Sequence, residues 1–116
     1  MSIYKIFHNP RCSKSRQTLK LLEDNNCEIE IINYLEINLD FLLIKDTLEK
    51  LSLKPRDILR KSEQDYKVNN LKREDLSDNE LINYMIKFPK LIERPIVIKE
   101  DRAVLGRPPE NVLELI

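Results

Sequence analysis

Cys12 stands where a thiol can be made reactive. It ends the run Ile3-Tyr4-Lys5-Ile6-Phe7-His8-Asn9-Pro10-Arg11-Cys12, in which a β-branched and aromatic stretch is broken by Asn9-Pro10 and a helical pattern begins at Ser13. Proline fixes its own φ and pushes the residue before it out of the helical region, so a strand has to stop there. A thiol at the start of a helix faces backbone N–H groups without intrahelical partners, and their partial positive charge favours thiolate over thiol. Arg11, Lys14 and Arg16 add cationic surroundings. A free cysteine is more often a small buried hydrophobe, and Cys27, at the start of a second apolar run, reads that way. The position of Cys12 marks it instead as a candidate nucleophile. Its spacing to Ser15, Cys12-x-x-Ser15, leaves no adjacent thiol with which a disulfide could close.

Several elements must hold that junction in place. Residues 3–7 read as a strand, Ser13 to Leu22 as a helix, Glu23-Asp24-Asn25-Asn26 as its polar stop, and Glu28 to Asn33 as a second, alternating strand. Strand, helix and strand within about thirty residues form a βαβ unit, and its right-handed crossover makes the strands parallel. Asp40 to Leu51 has the spacing of an amphipathic helix, and Pro55 to Lys61 reads as a short one with Arg60 and Lys61 at its end. Asp65 to Asp75 reads as polar and irregular. Ser77-Asp78-Asn79-Glu80 is a capping box that opens a helix running to Phe88, where Pro89 stops it. Ile92 to Lys99, entered through Arg94-Pro95, and Arg102 to Leu105 then pair as a hairpin across Glu100-Asp101. A final helix after Gly106-Arg107-Pro108-Pro109-Glu110 carries Val112, Leu113 and Ile116 onto the sheet.

This order predicts an α/β, thioredoxin-like fold in a single domain over residues 1–116. A four-stranded mixed sheet is flanked by helices, with a helical insertion between its βαβ and ββα halves. The Cys-x-x-Ser spacing resembles the redox motif of that fold with its second cysteine replaced by a hydroxyl. A cis-proline precedes the third strand in such domains, facing the reactive cysteine, and Pro95 occupies that place.

Composition bounds the partners. The 20 basic and 20 acidic residues cancel, so no global field draws the chain to nucleic acid or to an anionic membrane, and any anion site must be local. One glycine in the whole chain excludes a P-loop or a dinucleotide fingerprint. No metal and no tightly bound cofactor are expected. Two cysteines, no signal peptide and no long apolar run point to a soluble protein of a reducing cytoplasm.

Five separated segments together resemble the glutathione/glutaredoxin-dependent arsenate reductases. They are His8-Asn9-Pro10-Arg11-Cys12-Ser13-Lys14-Ser15-Arg16, Asn33-Tyr34-Leu35, Leu59-Arg60-Lys61, Ile92-Glu93-Arg94-Pro95-Ile96 and Gly106-Arg107-Pro108-Pro109-Glu110. The resemblance implies that Cys12 is the nucleophile, that His8 favours its thiolate, and that Arg60, Arg94 and Arg107 hold the oxyanion. Ser15 is then placed to donate a hydrogen bond to the sulfur, and Pro95 to shape the site. It further implies arsenate or a similar small oxyanion as substrate, glutathione as co-substrate, glutaredoxin as partner, and a monomer. One departure is that the chain stops at Ile116, soon after the R-P-P-E block, where better-studied members continue; this bears on stability rather than catalysis. Two other readings stay open at this level. One is a relative with other glutathione-linked thiol chemistry and no action on arsenate. The other is a transcriptional regulator of the Spx type, although that switch uses a C-x-x-C pair and Ser15 replaces its second thiol.

Overall fold

The computed structural model describes residues 2–116. The chain forms two compact units, one made of the residues up to Ile37 together with Arg94–Ile116, the other of Asn38–Glu93. Among the described residues no helix is long and apolar enough to cross a membrane.

The first unit is built on β1 (Ile3–Phe7), α1 (Ser13–Asp24), β2 (Glu28–Ile32), β3 (Ile96–Lys99) and β4 (Arg102–Leu105). The strands lie in the order β2-β1-β3-β4, with β1 parallel to β2 and antiparallel to β3, and β3 antiparallel to β4. This is the mixed sheet of a thioredoxin-like fold, as the element order predicts. Side chains alternate across a strand, so the register Ile6 with Ile31 and Val97 puts these three on one face. On that face Tyr4, Ile6, Leu22, Val97, Val112 and Leu115 form a buried core, with Cys27 and Ile29 packed against it. Each such side chain contributes about 1.5–3 kcal/mol when fully removed from water. The Tyr4 hydroxyl and Lys99 Nζ both donate to the Leu115 carbonyl, at 3.1 and 2.8 Å, which pins the C-terminal segment to the sheet. On the opposite face Phe7 stacks on Tyr34 with ring centroids 5.9 Å apart. β2 is an edge strand, and Ile31 stays 45% exposed, so its alternating pattern buries only part of its apolar side.

α1 ends without glycine. Asn26 takes a left-handed φ of 59°, and the N–H groups of Asn26 and Cys27 bond back to the carbonyls of Glu23 and Leu22 at 3.0 and 3.1 Å. Asparagine tolerates that conformation better than most residues, which is why the polar run is a stop.

The second unit holds α2 (Phe41–Leu51), α3 (Gln64–Val68) and α4 (Asp78–Lys87), with short 3₁₀ turns at Pro55–Ile58 and Pro89–Leu91. Asp40 caps α2 by accepting from Leu42 N–H at 3.4 Å. At α4 the predicted capping box is present, Ser77 Oγ accepting from Glu80 N–H and Glu80 Oε1 from Ser77 N–H, both at 3.1 Å. Ile44, Ile58, Leu81, Met85 and Leu91 are buried at its centre.

Four boundaries differ from expectation. Overlapping the segment 65–75 read as irregular, Gln64–Val68 is a single helical turn organised by buried Tyr66, and one buried residue in that turn carries no period to detect. The helix expected over residues 55–61 is a 3₁₀ turn ending at Ile58, which leaves Arg60 beyond it. β3 begins at Ile96 rather than Ile92, because Pro95 has no N–H to give a ladder; Ile92 instead makes an isolated bridge to Leu59. The last element is a 3₁₀ helix, Pro109–Leu115.

Candidate active site

The turn that delivers Cys12 is built by its own sequence. Cys12 N–H bonds to the Asn9 carbonyl at 3.0 Å, a four-residue turn with Pro10 at its second position, where the fixed φ of proline fits. The Asn9 side chain accepts from Arg11 N–H at 3.0 Å and braces the same turn. Cys12 therefore becomes the N-cap of α1, in extended conformation, with Arg16 N–H donating to its carbonyl at 3.0 Å.

The surroundings of the sulfur favour an anion. Cys12 is half-buried, and the loss of solvent is the largest single influence, pushing its thiol up. Against it act the N–H of Ser15, a side-chain hydrogen bond and the charge from Arg94, and the N–H of Lys14, and together these bring the pKa below the ordinary thiol value. No side-chain cap hydrogen bond closes on the sulfur. The first turn of α1 contains no acidic residue. Helices usually carry Asp or Glu there, so Lys14 and Arg16 leave the positive end of this helix to whatever anion Cys12 presents or binds.

His8 and Ser15 form a buried pair beside it. His8 Nδ1 lies 2.6 Å from Ser15 Oγ, which also accepts from Asn9 N–H at 3.1 Å. Burial, and then the charge of Arg16, lower the His8 pKa, so the imidazole is neutral at neutral pH. A neutral ring protonated on Nε2 lets the Ser15 hydroxyl donate to Nδ1, which satisfies every group in the chain of contacts. Ser15 Oγ thus lies against both His8 and Asn9, and the Ser15 backbone N–H is among the groups that lower the Cys12 pKa. The cation at the thiol is Arg94, while His8 reaches this helix terminus through Ser15.

Arg94, Pro95 and Arg107 belong to the same unit as Cys12. The Arg94–Pro95 peptide is cis, as is Arg107–Pro108, which nothing in the sequence reading anticipated. Arg107 Nη1 donates to the Arg94 carbonyl at 3.1 Å, so the second guanidinium is anchored on the backbone of the first. Arg60 belongs to the other unit. There its guanidinium pairs with Glu63 at 3.4 Å and Glu93 at 3.8 Å, and its N–H donates to the Leu91 carbonyl at 2.7 Å. Those two carboxylates were not singled out from the sequence, since isolated Glu residues in polar segments read as solvated charge.

A thiolate favoured by helix N–H groups and a guanidinium, with a second guanidinium anchored on the backbone carbonyl of the first arginine, can attack a small oxyanion while offsetting the charge of both partners. Comparison with known proteins identifies the family. The family model described as ArsC family matches residues 7–115. The chain belongs to the ArsC family. It is 48% identical over 113 residues, 97% of this chain and 95% of the relative, to an Escherichia coli K12 protein named "Uncharacterized protein YfgD". It is 41% identical, over 93% of each chain, to a protein named arsenate reductase in Neisseria meningitidis Z2491. A solved structure titled arsenate reductase from Vibrio cholerae superposes with a TM-score of 0.96 at 44% identity, covering 99% of this chain and 98% of that one. As an ArsC-family chain it carries the cysteine, the cis-proline and two arginines of the resemblance within one unit.

Proposed function

We propose that this ArsC-family protein reduces arsenate to arsenite in the cytoplasm, with Cys12 as nucleophile and glutathione and glutaredoxin as the source of electrons. The observation that carries the reading is Cys12 at the N-cap of α1, where the N–H groups of Ser15 and Lys14 and the Arg94 guanidinium lower its pKa. Arsenate is a tetrahedral, partly dianionic oxyanion at neutral pH, so bringing it to a thiolate sets like charges side by side. Guanidinium groups stay protonated and offer paired N–H donors in a plane, which offsets that repulsion. Arg94 and Arg107 fill this role in the proposal, and Arg60 is assigned to it on the resemblance alone. The Cys12 thiolate attacks arsenic, and one arsenate oxygen takes up protons and leaves as water, with arsenic still pentavalent. Glutathione thiolate then attacks the Cys12 sulfur, the electron pair of the S–As bond stays on arsenic, and arsenite departs from a Cys12–glutathione mixed disulfide. Glutaredoxin removes the glutathione and returns Cys12 to the thiolate.

The test is arsenate-dependent NADPH consumption with glutathione, glutaredoxin and glutathione reductase. Turnover that requires all three supports the proposal. Absence of turnover, with glutathione still forming a mixed disulfide on Cys12, moves the protein to glutathione-linked thiol chemistry without arsenate.

A further inference from the structure

The only glycine of the chain, Gly106, sits against both Thr18 of α1 and Pro95. Gly106 does not have a positive φ, so its conformation does not require glycine; the space around it does. A Cβ built there would lie 2.6 Å from Thr18 Oγ1, 2.8 Å from Pro95 Cγ and 3.2 Å from Thr18 Cγ2. Real Cβ atoms essentially never sit within 3.0 Å of a neighbour. Neither obstacle moves freely: Thr18 is fully buried in the middle of α1, and Pro95 is a buried ring.

Gly106 also ties the flanking segments together. Its N–H donates to the Pro95 carbonyl at 2.8 Å, and the next residue, Arg107, reaches back to the Arg94 carbonyl. Three pieces of chain thus meet at one point without a side chain between them: α1, which presents Cys12 and its N–H donors; Arg94-Pro95, which brings the guanidinium to the sulfur; and Arg107. We infer that Gly106 is a positioning residue, a contact point on Thr18 that sets how closely Arg94 and Arg107 approach the sulfur of Cys12. A methyl group here acts as a wedge. It drives α1 away from Pro95, and Thr18 lies six residues along α1 from Cys12, about 9 Å at 1.5 Å per residue, so the helix carries the displacement to its N-terminus as a rigid body. The charge-assisted contact from Arg94 loses most, because such bonds weaken steeply with distance and angle.

The inference rests on the proposed function for what the site does, but its test does not. In a Cys27→Ser background Cys12 is the single thiol, and the pH dependence of its iodoacetamide alkylation reports the approach of Arg94 whatever the substrate. Protection of Cys12 by added arsenate reports the anion site separately. Gly106→Ala is expected to move the alkylation midpoint to higher pH and to weaken arsenate protection at least tenfold, with circular dichroism unchanged. Thr18→Ala alone should leave both readings at the parental values. Gly106→Ala combined with Thr18→Ala should recover part of the loss, since the helix-side atoms are gone while the Pro95 ring remains. A folded Gly106→Ala protein with parental midpoint and parental protection overturns the inference. If Gly106→Ala does not fold, the double variant carries the test: a midpoint above the parental one supports the inference, and a parental midpoint with parental protection overturns it. Should the parental protein not turn over arsenate at all, the functional reading falls while the alkylation comparison stands.

Discussion

Replacing Arg94 by lysine separates charge from geometry at the centre of the proposed site. The Arg94 guanidinium is among the groups that lower the Cys12 pKa, and the Arg94 carbonyl anchors Arg107. Lysine keeps the positive charge and leaves the backbone anchor in place, but its single ammonium cannot serve a sulfur and an oxyanion oxygen from one fixed plane. A hydrogen bond to a charged group contributes about 1.5–3 kcal/mol, and because Cys12 is half-buried, water screens it toward the lower figure. Losing the Arg94 influence on the sulfur therefore costs about 1.5 kcal/mol, an upward move of the Cys12 titration by roughly one pH unit. Losing a second contact of the same kind, to arsenate in the transition state, brings the fall in kcat/KM to roughly a hundredfold. Alkylation of Cys12 against pH reads the first effect, and the coupled NADPH assay reads the second. A folded Arg94→Lys protein with the parental alkylation midpoint and parental turnover refutes the reasoning, because it would leave charge alone as sufficient.

Other outcomes follow from neighbouring residues. His8 is neutral when folded, yet in the unfolded chain it titrates near about 6.5, so the unfolded state binds more protons below that value and stability falls as the pH drops through it. Denaturant unfolding of the parent and of His8→Asn between about pH 7 and 5 should show a shallower acid loss in the variant, and equal slopes would remove His8 from the account. Cys12→Ser should abolish arsenate-dependent NADPH consumption while Cys27→Ser retains it; loss of turnover in a folded Cys27→Ser protein contradicts the mechanism. Glu100 occupies a left-handed φ of 55° in the exposed β3–β4 turn, so Glu100→Asn should stabilise the protein by about 0.5 kcal/mol in urea unfolding.

What could be read from sequence divides by range. Asn9-Pro10 and Ser77-x-x-Glu80 act on their own neighbours, and both the turn that makes Cys12 an N-cap and the box that starts α4 appear where the residues place them. The alternating runs and the proline at residue 95 likewise gave the strand order its outline. Contacts between distant segments left no such trace. Nothing local in Ser15 says that its hydroxyl will be taken by His8, because that depends on how the end of β1 lies against α1. Arg60 ends a short helix in the sequence pattern, but its partner Glu93 is brought near by the bridge of Leu59 to Ile92 thirty-three residues away. Tyr66 organises α3 by burial alone. Gly106 did carry a signal: a chain with one glycine, and no positive φ at it, has kept that residue where a side chain does not fit.

The two cysteines fix where the second sulfur of the proposed reaction must come from. Cys12 follows the C-terminal end of β1, while Cys27 precedes β2, whose first residue, Glu28, pairs with Ile3 at the other end of β1. Five paired residues at about 3.3 Å each separate those ends by roughly 13–16 Å along the sheet. The twelve residues of α1 span a similar distance, roughly 18 Å at 1.5 Å per residue. A disulfide needs Cα atoms within about 7 Å, so joining Cys12 to Cys27 would require α1 to unwind and the Leu22–Cys27 cap bond to open. The position nearest to Cys12 where a resolving thiol could sit, Ser15, is a hydroxyl already bound to His8. An arsenic adduct on Cys12 therefore has no second cysteine thiol within reach, and in the proposed reaction the attacking thiol arrives from solution across the half-exposed face of Cys12. Turnover intermediates trapped by acid quench should carry glutathione on Cys12, and a Cys12–Cys27 disulfide among them would overturn this argument.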